Sequence, residues 1–437
     1  MADAVRPANH LVNTLLRLTV GNFVRLRFRA RFDAGILKSV RPPYLLIGNH
    51  TCNWDPFLMS FAVKAPIHFV ASDEYFRTPL LRFLLRLVGG IPKTKNTSDL
   101  QPIRAMIALK RAGAIIGLYP EGNRNWDGVT GPLFESTAKL VKVFRIPVIA
   151  VETTGGSLSD PRWARHPRIG RMNLDFHLLF TPEDCKTLSG TEILAKMVAA
   201  LAHDDHPASE ARAVAEKEPF RFHGKRLAEC LELFLFQCPS CKRVDTLASH
   251  VDVLRCIACG LTVRYGEDGR LHPDNSSPAA SAVTSADTSA SVPFALTHDW
   301  NRWQCANLQS AIENHLPFPA LSPVEWDPVL LGNDDACLHT GGKLGDLVPA
   351  GTGTLHLHPD RLIFLGTDAP EHILSFPLGG MTGLNIQYNN RVEFYHQDIL
   401  YRFSFPKQII SVWKWHQALL YACEALYKPA SKGGTRP

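Results

Sequence analysis

The sequence predicts an α/β domain built on a mostly parallel sheet, then a small cysteine-paired ribbon, then a β-rich C-terminal domain with a closing helix. Three observations predict this order. Residues 40–200 alternate short apolar runs with helical stretches, the pattern of buried strands joined by crossover helices. Two C-x-x-C pairs stand between residues 238 and 259. Residues 345–427 read as successive strands followed by one helix. At 437 residues the chain exceeds one ordinary domain, and 45% hydrophobic with 20% charged residues describes a globular chain. The composition shifts divide it into 1–32, 33–232, 233–270, 271–296 and 297–428.

The first segment, 1–32, is basic and apolar. Between Asp3 and Asp33 there is no acidic residue, but there are Arg6, Arg17, Arg25, Arg27, Arg29 and Arg31. Leu11, Leu15 and Leu18 share one helical face, and residues 23–32 alternate apolar side chains with arginine, a strand period. Such a segment either lies in a membrane interface, arginines against anionic headgroups, or packs on the core as an ordinary helix. No stretch reaches the roughly 18–20 apolar residues that span a bilayer, and no secretory leader is legible. The expectation is a cytoplasmic protein held peripherally on a membrane's cytoplasmic face.

Within 33–232, residues 44–48, 67–71, 114–119, 148–151 and 174–180 read as buried strands, and 79–88, 102–112 and 134–144 as helices. His50 follows the first strand, in Y-L-L-I-G-N-H-T-C-N-W-D-P, with Asp55 five residues on. An imidazole with an unperturbed pKa near 6.5 suits proton abstraction from a hydroxyl, and a carboxylate orients it. Spacing alone does not decide, since His68 and Asp73 repeat it. His50 has the better context: a strand exit, a Gly-Asn turn and Pro56. L-Y-P-E-G-N-R follows another strand, and a helical turn would place Glu121 and Arg124 on one face. Arginine can hold a phosphate by paired hydrogen bonds. G-G-I-P-K-T-K, ending at Lys95, offers close backbone approach and charge. R-I-P-V-I-A-V, from Arg145, by itself says only that a buried strand is present.

These four blocks in this order resemble the glycerol-3-phosphate and 1-acyl-glycerol-3-phosphate acyltransferase family. The resemblance covers roughly residues 10–205 and gives His68 a structural place. It implies that His50 is the catalytic base and Asp55 its partner. It further implies that Lys95, Glu121, Gly122 and Arg124 hold the acceptor headgroup. Acyl-CoA or acyl carrier protein would be the donor, with no catalytic cofactor and no covalent intermediate. Lys95 stands where the family has arginine, which keeps charge and loses paired hydrogen bonding. Asn123 replaces threonine, and Cys52 and Trp54 are unusual fillers. A thiol nucleophile at Cys52 is the lesser alternative. Rival functions are a catalytically dead, membrane-recruited adaptor and an acyl-ester hydrolase.

Cys238, Cys241, Cys256 and Cys259 have the spacing of two metal knuckles. The set resembles a zinc ribbon, with structural zinc the expected metal and iron the alternative. No dense basic stripe adjoins it, so a spacer or protein contact is expected and nucleic acid is not. Residues 273–293 are a Ser/Ala/Pro linker. The strand-then-helix order of the C-terminal domain resembles a pleckstrin-homology or related lipid-binding domain. Its closing helix, 407–426, carries Trp413 and Trp415.

Overall fold

The computed structural model describes residues 7–93, 100–274, 292–318, 329–342, 346–367, 373–405 and 410–427. The chain forms two compact units. One comprises Met1–Leu227 with Tyr265–Arg270, the other Ala228–Arg264 with Leu271–Pro437.

The first unit is built on a seven-stranded sheet. Its strands are β1 (Arg31–Asp33), β2 (Leu45–Gly48), β3 (Ile67–Ser72), β4 (Ile91–Lys93), β5 (Ile115–Leu118), β6 (Val148–Thr154) and β7 (Asn173–Phe180). The order is β1-β7-β6-β2-β5-β3-β4. Only the β6–β7 pair is antiparallel, so the α/β, mostly parallel expectation holds. Every residue of β2 is buried, because the apolar run faces a core on each side. Leu45 and Ile47 join Met106, Val141 and Met197 on one face. Leu46 joins Val24, Phe28, Leu58 and Met59 on the other. Burying such side chains contributes roughly 1.5–3 kcal/mol each.

The N-terminal segment departs from expectation. Residues 23–32 are not a strand: helix runs from His10 through a π turn at Arg17–Gly21 to Arg27, and β1 begins only at Arg31. Val24 and Phe28, one helical turn apart, enter the core, which sets a helical period. The apparent alternation counted Phe23 and Leu26, which are exposed.

In the second unit, β8 (Leu247–His250), β9 (Val253–Cys256), β10 (Thr262–Tyr265) and β11 (Leu271–Pro273) make a small sheet in the order β11-β10-β9-β8. A seven-stranded sheet follows, with antiparallel pairing throughout. Its strands are β12 (Leu331–Gly341), β13 (Val348–Leu357), β14 (Arg361–Gly366), β15 (Ile373–Pro377), β16 (Thr382–Gln387), β17 (Arg391–His396) and β18 (Ile399–Ser404). Helix Val412–Tyr427 closes the chain's described part. Trp415 is fully buried and its Nε1 donates to Asn333 Oδ1 (2.8 Å). Lys414, also buried, pairs with Asp245 of the ribbon. Gln304 on helix Thr297–Glu313 donates to Phe234 O (2.8 Å) and accepts from Phe236 N (2.9 Å). Ribbon, helix and β-rich sheet are thus bonded into one unit.

Candidate active site and metal centre

Strands β5, β2 and β6 lie side by side and parallel, so the loops leaving their C-terminal ends meet, which is where ligands bind in open α/β sheets. The β2 loop carries His50. Asp55 opens helix Asp55–Val63 and is completely buried. Its Oδ2 lies 2.9 Å from His50 Nδ1 and accepts the amides of Thr51 (2.8 Å) and Cys52 (3.0 Å). Oδ1 accepts from Thr51 Oγ1 (3.1 Å) and Cys52 Sγ (3.2 Å). An oxygen already accepting two amides acts as acceptor toward the ring as well. That places the proton on Nδ1 and the basic lone pair on Nε2. The imidazole is a fifth exposed (19%) and stacks on Tyr119 at 4.0 Å.

Burial and the adjacent Asp55 push the Cys52 thiol well above its ordinary range. A thiol so protonated is a poor nucleophile. His68 is spent on structure: Nδ1 lies 3.2 Å from Ile115 O, and Nε2 accepts the Ala8 amide at 3.2 Å.

The β5 loop brings Glu121 and Arg124 to the same place, but not on a helix. Residues 120–123 form a turn, which corrects the expected helical spacing. Glu121 points inward. Its Oε1 accepts the His50 amide (2.7 Å) and its Oε2 the Gly131 amide (2.9 Å). Burial pushes its carboxyl up to about 8 against the pull of those two bonds. Glu121 therefore ties the β5 loop to the backbone of the histidine. Gly122 has φ +70, and a Cβ there would lie 2.4 Å from Phe134, so the turn requires glycine. Arg124 is half-buried. Lys95 lies outside the described residues.

Sequence reasoning missed the β6 loop. Asp160 accepts the Asn53 amide and acts electrostatically on Arg124. Arg162 Nη1 donates to Arg124 O at 2.6 Å. No motif marked these residues; the only signal was a Gly-Gly pair leaving a buried strand.

The sulfurs of Cys238, Cys241, Cys256 and Cys259 all lie within 4.8 Å of one another. The Cys238–Cys259 and Cys241–Cys256 separations are both 3.7 Å. Tetrahedral sulfurs about 2.3 Å from a zinc ion stand about 3.8 Å apart, so this donor set fits that metal.

Residues 31–153 match the family model described as Acyltransferase, the family that the motif blocks resemble. The chain is similar to the 1-acyl-sn-glycerol-3-phosphate acyltransferase of Borreliella burgdorferi, at 26% identity over 98 residues, 22% of this chain and 39% of that protein. It is similar to the protein of the same name in Bacillus subtilis, at 24% identity over 135 residues, 31% of this chain and 65% of that one. In both, the match spans less than two thirds of the relative. Among solved structures, the 1-acyl-sn-glycerophosphate (LPA) acyltransferase PlsC from Thermotoga maritima aligns at TM-score 0.37 and 19% identity, covering 47% of this chain and 87% of that one.

Proposed function

We propose that the chain moves a fatty acyl group from acyl-CoA or acyl carrier protein to a hydroxyl of a glycerol-phosphate-type acceptor, with lysophosphatidic acid the leading candidate, in phospholipid synthesis. The observation that carries this is the His50–Asp55 pair: a ring at a strand exit, its Nδ1 held at 2.9 Å by a fully buried carboxylate. In this reaction His50 Nε2 takes the proton of the acceptor hydroxyl as its oxygen attacks the thioester carbonyl. The C–S bond then breaks, and the leaving thiolate takes the proton back from His50. Asp55 stabilises the imidazolium that forms between these steps. Arg124 and Lys95 hold the acceptor's phosphate. Glu121 and Gly122 shape the turn that presents Arg124.

The matched family model and the relatives' printed names support this class of reaction. No described helix is long and apolar enough to cross a membrane. Leu11, Leu15 and Leu18 are exposed on an acid-free helix, which supports peripheral attachment to a membrane; the cytoplasmic face is the one this reading assigns. The four cysteines would hold a structural zinc. The second unit is left as a contact for lipid or a protein partner.

The test is acyl transfer from labelled palmitoyl-CoA to a panel of lysophospholipids by the purified chain. His50→Ala is expected to lose about 100- to 10,000-fold in rate, while folded His68→Ala keeps most activity. Equal losses in both would overturn the assignment, and so would a wild-type chain that makes only free fatty acid.

A further inference from the structure

The loops that carry His50 and Arg124 share a neighbour outside the motif blocks: the segment leaving β6, residues 155–163. Its conformation is fixed from behind. Asp205, completely buried, accepts the amides of Gly155, Ser157 (2.8 Å) and Leu158 (3.3 Å), together with Ser157 Oγ (2.5 Å). The segment then presses on the first loop. A Cβ on Gly156 would fall 2.0 Å from Thr51 Oγ1, so glycine here leaves room for the Thr51 side chain that bonds to Asp55. Asp160 takes the Asn53 amide. Arg162 turns to the other loop: Nη1 donates to Arg124 O (2.6 Å), and its guanidinium lies 4.8 Å over the Trp126 ring.

Arg162 is 7% exposed, so it holds Arg124 from the protein side. Burial, and then the like charge of Arg124, bring the Arg162 guanidinium down to about 9. Asp160 acts on Arg124 with the opposite sign. The Arg124 backbone is thus held by Arg162, and its guanidinium feels the like charge of Arg162 and the opposite charge of Asp160. A cation held this way is presented outward, toward an arriving anion.

We infer that Arg162 is a positioning residue that fixes the Arg124 loop and turns the Arg124 guanidinium toward the acceptor's phosphate. This rests on Arg124 being the headgroup ligand.

The experiment is a kinetic double-mutant cycle on the full chain, with palmitoyl-CoA as donor and lysophosphatidic acid as acceptor. Arg162→Gln is expected to raise KM for lysophosphatidic acid about tenfold, the loss of roughly one charged hydrogen bond. Its kcat and its KM for palmitoyl-CoA stay within about twofold. Arg162→Lys, which keeps the charge and a donor, stays within about threefold of wild type in every constant. In an Arg124→Gln background, Arg162→Gln adds less than about twofold, because a brace has no effect once the braced group is gone. If Arg162→Gln does not fold, Arg162→Met takes its place in the cycle with the same expectations. Additive costs would overturn the inference, as would a lysine variant no better than glutamine, or a fall in kcat with both KM values unchanged. If Arg124→Gln alone leaves KM for lysophosphatidic acid unchanged, the headgroup role of Arg124 itself fails.

Discussion

Asp55→Asn separates two ways in which a carboxylate can serve a histidine. Asp55 Oδ2 accepts two backbone amides and faces His50 Nδ1, while Oδ1 meets only a hydroxyl and a thiol. Those amides fix the orientation of an asparagine in its place. Its oxygen must take the Oδ2 position, and its NH2 then faces Thr51 Oγ1 and Cys52 Sγ, which can both accept. The ring still donates from Nδ1, and the tautomer survives. Two backbone bonds change from a charged acceptor, worth about 1.5–3 kcal/mol each, to a neutral one, worth about 0.5–1.5. The stability loss is therefore about 2–3 kcal/mol, an upper figure because burying an amide is cheaper than burying a charge. That is roughly 5–10 °C in Tm. What catalysis loses is the negative charge beside the imidazolium. The expected fall in kcat is about 100- to 1,000-fold, short of the roughly 10,000-fold that a wrong tautomer costs in a serine-protease triad. Initial rates with palmitoyl-CoA and lysophosphatidic acid, beside thermal unfolding, decide the matter. A kcat within threefold of wild type would remove Asp55 from the mechanism. A loss of about 10,000-fold with a fall in Tm well beyond roughly 5–10 °C would show that the amide has turned over and that the backbone does not fix it.

Three other outcomes are expected. Elemental analysis should find about one zinc per chain, lost on replacing Cys238 and Cys256 by serine; iron in its place, or no metal in gently purified protein, refutes this. Replacing the exposed Leu11, Leu15 and Leu18 by serine should weaken binding to anionic liposomes without lowering Tm, and wild-type binding should itself fade with salt as the Debye length shrinks; unchanged binding would place membrane attachment elsewhere. Burial pushes the Glu121 carboxyl from its ordinary 4.5 up to about 8, so the native state should hold the proton longer than the unfolded one and stability should fall as pH rises between those values. Glu121→Gln should flatten that slope in denaturant titrations, and an unaltered slope would refute the assignment.

The parts of the fold legible in the sequence were those where one chemical requirement dominates. A central parallel strand must be apolar on both faces, so β2, β5 and β6 announce themselves. Two C-x-x-C pairs at this separation have few uses besides holding a metal. The β1 region misled because arginine and apolar residues can alternate on a helix whose far face is exposed; only the burial of Val24 and Phe28 distinguishes the two. Strand β12 escaped notice because its G-N-D-D stretch breaks the apolar pattern where the pairing with β13 shifts register and Asp335 adopts φ 59. In the site, His50 and Asp55 were legible from their strand exit. Glu121 was visible as a residue but not as a tie to the His50 amide, since a bond across 71 positions leaves no local trace. Arg162 was invisible for the same reason.

The strip Tyr265–Arg270 belongs to the first unit, though the chain on both sides of it belongs to the second. Arg168, almost fully buried, lies 4.5 Å over the Tyr265 ring and bonds to Leu227 O at 2.6 Å. His206 bonds to Asp268 O at 3.0 Å. No single cut separates the two units. A recombinant fragment ending near Leu227, cut to resemble the shorter relatives, would strip Arg168 of its aromatic lid and His206 of its carbonyl. Such a fragment should express poorly or precipitate, and adding back the missing piece in trans would not be trivial. Fusion or circular-permutation designs for this chain should place their breaks in the Ser/Ala/Pro-rich stretch within residues 275–291, which leaves the interleaved strip intact.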